Sequence, residues 1–240
     1  RDKKMELGSE QEVNEILAAI KGGSYTVSKV KRQEKNRQPA PPFTTSTLQQ
    51  EASRKLGFST QKTMQIAQQL YEGVDLEGEG TQGIVTYIRT DSVHISQEAL
   101  NAVRAYIPER FGAEYLPETP NEFKGRRNAQ DAHEAIRPVD VTLTPQDVKE
   151  FLTPDQFRLY NLIWKRTIAS QMADAQVEKT TVTIALSGSP YTFAATGEVV
   201  KFDGFLRVYR ESVADDTDEN QDSNILPSVH CGQQLHYAEV

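Results

Sequence analysis

Tyr87 and Arg89, two residues apart in the run TYIRTDS at 86–92, have the side chains most suited to covalent chemistry. The run follows the apolar β-formers Ile84 and Val85, which predicts an extended strand. In a strand, residues i and i+2 lie on one face, so the phenol and the guanidinium point at the same spot. The phenol is an oxygen nucleophile, and the guanidinium is a planar fork suited to phosphate. Together they predict attack on a phosphodiester. The ordinary alternative is a half-buried aromatic with a satisfied hydroxyl beside a surface charge. Asp91 joins the same face if the strand continues that far. A carboxylate repels phosphate, so its expected part is to orient Arg89.

A phenol has a pKa near 10 and is a poor nucleophile at neutral pH unless it lies in a positive environment and loses its proton. Arg89 supplies a charge that cannot be titrated away, able to hold the non-bridging oxygens where charge develops. Two further motifs accompany this pair. In PFTTSTLQQ, at 42–50, the hydroxyls of Thr44, Thr45, Ser46 and Thr47 cluster at a helix start. Exposed amide N–H groups there favour anions, and helix capping alone accounts for the same residues. In DAHEAIRP, at 131–138, His133 either donates to a phosphate or sits on a surface helix, and Arg137 either touches nucleic acid or pairs with Glu134.

The three motifs, in this order and spacing, resemble those of type IA DNA topoisomerases, most closely the bacterial topoisomerase I branch. The isoleucine and serine of TYIRTDS favour that branch over topoisomerase III and reverse gyrase, and the resemblance continues over nearly all 240 residues. It implies that Tyr87 becomes joined to the 5′ phosphate of a cut single strand, with Arg89 and His133 serving the phosphate. It further implies that Thr44, Thr45, Ser46, Thr47, Gln49 and Arg137 lie along bound DNA. A strand passes through the gap, the cut is resealed without ATP, and negative supercoils relax. The implied partner is a single-stranded segment of negatively supercoiled duplex.

The family's acidic magnesium site lies in a separate N-terminal domain, and no DxDxE cluster occurs here. Mg2+ is therefore expected in the full-length enzyme with its ligands outside this chain, and no metal site within it. The chain is expected to be an internal piece, partnered by the remaining domains of the same polypeptide and inactive alone. Two other classes compete. One is a non-catalytic single-stranded DNA-binding module. The other is a different tyrosine-nucleophile DNA breaking-rejoining enzyme, although those place the tyrosine late and gather more arginines and histidines around it.

Composition fits an ordinary globular protein, with 37% hydrophobic and 25% charged residues. The net charge of −7 argues against DNA, but its distribution does not. Residues 211–222 carry six acids and no base; without them the chain is at −1, and residues 21–62 stand at +7. The acidic run reads as a loop. A single cysteine, Cys231, excludes an internal disulfide and a thiolate zinc site. The opening RDKKMELGSE is unlike a secretory leader, and no apolar run approaches a membrane span, so a cytoplasmic protein is expected.

Several elements must position the three motifs. A capping box at Ser9 and Glu12 starts a helix with the stripe Val13, Ile16, Leu17, Ile20, ended by Gly22-Gly23. Residues 24–33 alternate as a strand, and NRQPAPP at 36–42 marks a boundary. A helix over 46–56 stops at Gly57; Thr60 caps the next, with Met64, Ala67, Leu70 and Tyr71 on one side. The tight GFST turn gives the pair a helix-turn-helix look. Ser96 caps a helix over 97–111, a short helix carries His133 and stops before Pro138, and Thr153-Pro154 opens a helix over 154–172. Strands follow at 177–186, 191–200, 205–210 and 233–240. The fold class expected is α+β and multidomain. A mainly helical domain, 41–172, is inserted in a β-rich domain made of 1–40 and 173–240, which resembles the family's hinge and arch.

Overall fold

A computed structural model describes residues 8–21, 23–76, 80–124, 133–209 and 226–236. The acidic run at 211–222 and the start of the third motif, Asp131 and Ala132, lie outside these residues. In chain order the elements are α1 (Glu10–Lys21), β1 (Tyr25–Arg37), α2 (Thr45–Glu51), α3 (Thr60–Glu72), β2 (Val74–Asp75), β3 (Thr81–Gln82), α4 (Gln97–Phe111), α5 (Pro154–Ser170), β4 (Ala175–Leu186), β5 (Thr192–Phe202) and β6 (Gln234–Leu235). They divide into two compact units. The first is drawn from Arg1–Lys35, Val177–Lys201 and Asn220–Val240, the second from Asn36–Gln176 and Phe202–Glu219.

The first unit is a four-stranded sheet in the order β5-β4-β1-β6. β1 and β6 pair antiparallel, with Tyr25 opposite Leu235 and Thr26 opposite Gln234. Tyr25, Val27, Val177, Val182 and Leu186 are its buried apolar residues. The Tyr25 hydroxyl donates to the Ile20 carbonyl at 2.6 Å, which ties α1 to the sheet. In α1 the Ser9 hydroxyl caps the Glu12 N–H, while the Glu12 carboxylate reaches back to the Gly8 N–H. Cys231 sits exposed in a turn.

The second unit packs three long helices, α3, α4 and α5, with short segments around one apolar core. Phe43, Leu48, Leu70, Ile88, Ile107, Ile136, Leu159 and Ile163 lie fully inside it. The expected cap for α4 forms, with Ser96 accepting from Ala99, and Thr153 with Gln156 makes a complete capping box for α5. Trp164 and Tyr160 of α5 donate to the carbonyls of Val141 and Leu143, pinning that loop to the helix. The helix after the first motif is α for one stretch and then π over Ala52–Leu56, closed by Gly57 at φ 68°.

Several expectations are corrected. The cap of α3 is Ser59 rather than Thr60, and the helix's core stripe is Thr63, Ile66, Ala67 and Leu70, leaving Tyr71 exposed. Of the strand expected at 205–210, residues 205–209 do not extend and Arg210 lies outside the described residues: Gly204–Arg207 is a 3-10 turn. Gly204 stands at φ 49°, and a Cβ there would meet the Ala173 carbonyl oxygen at 2.5 Å. The turn places Phe205, Leu206 and Tyr209, spaced for a helical face, in the core. Residues 133–138 form no helix. The N–H groups of Ala135, Ile136 and Arg137 go instead to the His94 carbonyl, the Phe43 carbonyl and the Thr86 hydroxyl. The strand expected from Ile84 through Tyr87 and Arg89 is reduced to an isolated bridge, Val85 with Pro138, and a bend at 88–89.

Candidate active site

The three motif segments converge through hydrogen bonds rather than through a ladder. Thr45 joins the first to the second: its N–H donates to the Thr90 carbonyl at 2.9 Å. Its hydroxyl lies 2.7 Å from the Ile88 carbonyl and accepts the Thr90 N–H at 2.9 Å. Thr86 joins the second to the third. Its hydroxyl donates to the Ala135 carbonyl at 2.7 Å and accepts the Arg137 N–H at 3.0 Å, while its own N–H donates to the Arg137 carbonyl at 2.9 Å. The first and third meet at the bridge of Phe43 with Ile136.

Local chemistry explains why TYIRTDS leaves the extended form. The Thr90 hydroxyl accepts from the Ser92 N–H, and the Ser92 hydroxyl from the His94 N–H. Such side-chain turns compete with sheet pairing. Strict alternation in burial nonetheless persists from 87 to 92. Tyr87, Arg89 and Asp91 are exposed; Ile88, Thr90 and Ser92 are buried. Ile88, 1% exposed, and Ile84, 2% exposed, anchor the segment in the core.

The Tyr87 side chain is 39% exposed, and its hydroxyl makes no hydrogen bond among the described residues. Its ring centroid is 5.2 Å from that of His133, at 45°, and 5.6 Å from that of Tyr71, at 68°. Tyr87 and His133 are thus brought together from segments 46 residues apart in sequence. Arg89 is exposed and has no ion pair among the described residues, with Asp91 or any other carboxylate.

The other candidates are engaged structurally. Thr44 caps α2 in a reciprocal box with Thr47, and Ser46 lies 3.2 Å from the Thr44 hydroxyl. Gln49 is half-buried on α2. Arg137 donates to Glu134 at 2.5 Å and to the Pro138 carbonyl at 2.8 Å, so the internal pairing is the one formed. Burial works against the charge of Glu134, but the hydrogen bond and charge of Arg137, with Ser96, outweigh it and hold that carboxyl below the usual range. Part of the basic segment is also spent internally: Lys62 pairs with Asp155 and stacks on Phe58, Arg54 pairs with buried Glu51, and Lys55 lies over Tyr209.

Sequence reasoning missed Tyr71, which it placed in the apolar stripe of α3, and the linking role of Thr86. The single signal for Tyr71 was its place at the end of that stripe, two residues before Gly73, where a helix terminates. Among the described residues no three His, Cys, Asp or Glu side chains gather as metal ligands. Nor is any described helix long and apolar enough to cross a membrane.

A tyrosine and a histidine ring side by side, with an exposed arginine two residues along the chain that has no ion pair among the described residues, on motif segments tied to one another, suit a phosphodiester. Comparison with known proteins decides the family. A family model described as DNA topoisomerase matches residues 1–240. The chain belongs to the type IA DNA topoisomerases. It is 44% identical over 238 residues to DNA topoisomerase 1 of Rickettsia bellii, covering 99% of this chain and 29% of the relative. It is also 44% identical over 239 residues to that of Rickettsia typhi, covering 99% of this chain and 30% of the relative. The full-length topoisomerase I structure from Thermotoga maritima superposes with a TM-score of 0.78 at 36% identity, covering 98% of this chain and 36% of that one. That match supports the mixed α/β architecture. The chain therefore spans under a third of the length of the curated topoisomerases it matches.

Proposed function

We propose that this chain is the nucleophile-bearing part of a cytoplasmic type IA topoisomerase that cuts one DNA strand and reseals it. The Tyr87 oxygen, having lost its proton, attacks the phosphorus of a single-stranded segment of negatively supercoiled duplex. The new bond joins tyrosine to the 5′ phosphate, the bond to the 3′ oxygen breaks, and the leaving oxygen takes a proton as a 3′ hydroxyl. Resealing runs the same exchange backwards after strand passage. The phosphotyrosyl bond conserves the energy of the bond cut, so ATP is not consumed and negative supercoils relax.

Arg89 offsets the charge that develops on the non-bridging oxygens, and His133 donates to the same phosphate. Thr44, Thr45, Ser46, Thr47 and Gln49 lie along the bound strand, and Arg137 contributes through the shape of its segment. Asp91 keeps Arg89 in place when DNA is bound. The observation carrying this reading is the half-exposed Tyr87 phenol, without a hydrogen-bond partner among the described residues and with its ring tilted against that of His133, in a topoisomerase chain.

Magnesium, which assists the reaction between the phosphodiester and the 3′ hydroxyl, belongs in this proposal to acidic residues outside these 240, with the remaining domains of the same polypeptide as partners. The chain alone then does not relax supercoiled DNA, with or without magnesium. Relaxation by the purified chain that disappears in Tyr87→Phe would overturn this. The nucleophile is tested in the full-length protein by trapping the cleaved complex and mapping the peptide that carries DNA. The expected label is on Tyr87; a label elsewhere, or full cleavage by Tyr87→Phe, rejects the assignment.

A further inference from the structure

Tyr71 lies outside all three motifs, yet its ring meets that of Tyr87 nearly edge to face, with centroids 5.6 Å apart and planes at 68°. The two residues differ in how firmly they are held. Tyr71 occupies the last turn of α3, a helix fixed by a side-chain cap at Ser59 and by buried Ile66, Ala67 and Leu70. Tyr87 stands in a segment without a ladder, 39% exposed, its hydroxyl unbonded among the described residues. No hydrogen bond there sets the direction of its phenol; ring packing must.

The backbone brings the two together. The Ile84 N–H donates to the Leu70 carbonyl at 2.9 Å. A Cβ at Gly83 would stand 2.3 Å from the Tyr71 carbonyl oxygen, so the chain can pass here only as glycine. Four residues beyond this closest approach comes Tyr87. The end of α3 is thus the fixed wall against which the nucleophile segment is laid, and the Tyr71 ring projects from that wall.

We infer that Tyr71 is a positioning residue for the strand-cleavage reaction, restricting the Tyr87 ring to the rotamer that presents its oxygen to the phosphate. This rests on the reading of Tyr87 as nucleophile. An aromatic pair of this kind is worth enough beyond simple burial to change a population by roughly two- to tenfold. Misplacing a reacting atom slows chemistry without weakening substrate binding.

The test uses the full-length topoisomerase and a short single-stranded oligonucleotide at saturating enzyme, well below each variant's melting temperature. Single-turnover adduct formation should fall roughly three- to tenfold in Tyr71→Ala. Affinity for the same oligonucleotide, measured in a Tyr87→Phe background, should not change between Tyr71 and Tyr71→Ala. Tyr71→Phe, which keeps the ring, should restore the rate; Tyr71→Leu, which keeps apolar bulk without a ring edge, should fall with alanine. The ratio of parent to alanine rates should hold as pH is raised, because the defect is geometric.

If alanine and leucine both cleave within about twofold of the parent while Tyr87→Phe forms no adduct, the inference fails and the nucleophile stands. A loss of affinity in place of rate makes Tyr71 a DNA contact and overturns it as well. So does a Tyr71→Phe variant as slow as alanine, which would place the effect in the hydroxyl. An adduct in Tyr87→Phe itself would reject the parent reading instead.

Discussion

The sheet of the first unit and the three motif segments of the second reach order by opposite routes. β5 runs for eleven residues with one buried position, and β1 for thirteen with two. Their regularity comes from backbone pairing. Among the described residues the motif segments carry, besides the start of α2, isolated bridges and no ladder, yet Phe43, Ile88 and Ile136 are essentially inaccessible. Their order comes from core anchors and from threonine hydroxyls bonded to distant backbone. A ladder fixes every residue alike, whereas anchors at alternate positions leave the side chains between them exposed and available. Tyr87, Arg89 and Asp91 are those intervening residues.

The largest test of this contrast separates function from stability. Arg89→Ala in the full-length enzyme should cut the cleavage rate on the order of a hundredfold. The melting temperature should stay unchanged, because the side chain is exposed and has no ion pair among the described residues. A large drop in melting temperature would mean that the outward residues are also structural.

Thr45→Val should do the reverse, costing about 1–3 kcal/mol by stranding the Thr90 N–H and the Ile88 carbonyl in a partly buried place. Denaturant unfolding of the chain measures it. A loss below about 0.5 kcal/mol, the ordinary range for surface changes, would show that the hydroxyl links are incidental.

Glu134 offers a weaker, pH-dependent test. Its carboxyl is held low, so its ionised form stabilises the fold above the ordinary glutamate pKa. That contribution is lost as pH falls through the lowered value. Glu134→Gln should therefore be less stable than the parent near neutrality, the difference vanishing in acid. A constant difference across pH would remove the Arg137 pair as its cause. Smallest of all, Val200→Thr on β5, where the side chain is 43% exposed, should alter stability by less than about 0.5 kcal/mol.

The same contrast explains which features were legible in the sequence. The caps Ser96 and Thr153 are local signals and act within three residues of themselves. The alternation that turns Tyr87, Arg89 and Asp91 outward is local too, and it survives without a strand. Residues 133–138 read as helix because their true partners, Phe43, Thr86 and His94, lie roughly 40 to 90 residues away. Residues 205–210 read as strand because burial of Phe205 together with Leu206 depends on a close approach to Ala173. Tyr71 was hidden for a similar reason: an aromatic at the end of a helical stripe reads as core until its neighbour across the chain is known.

The links between residues 84–94 and 133–139 have a practical consequence. The pairs Thr86 with Ala135 and Arg137, Ile84 with Val139, and His94 with Ala135 are all noncovalent. Covalent continuity between the two stretches is therefore not what aligns the tyrosine with the histidine. A split protein, severed between positions 124 and 133 and expressed as two polypeptides, should reassociate with the rings in register. The junction is accordingly the natural place to make this domain conditional, with reassembly of the halves, rather than expression of the whole, deciding when the tyrosine and histidine meet.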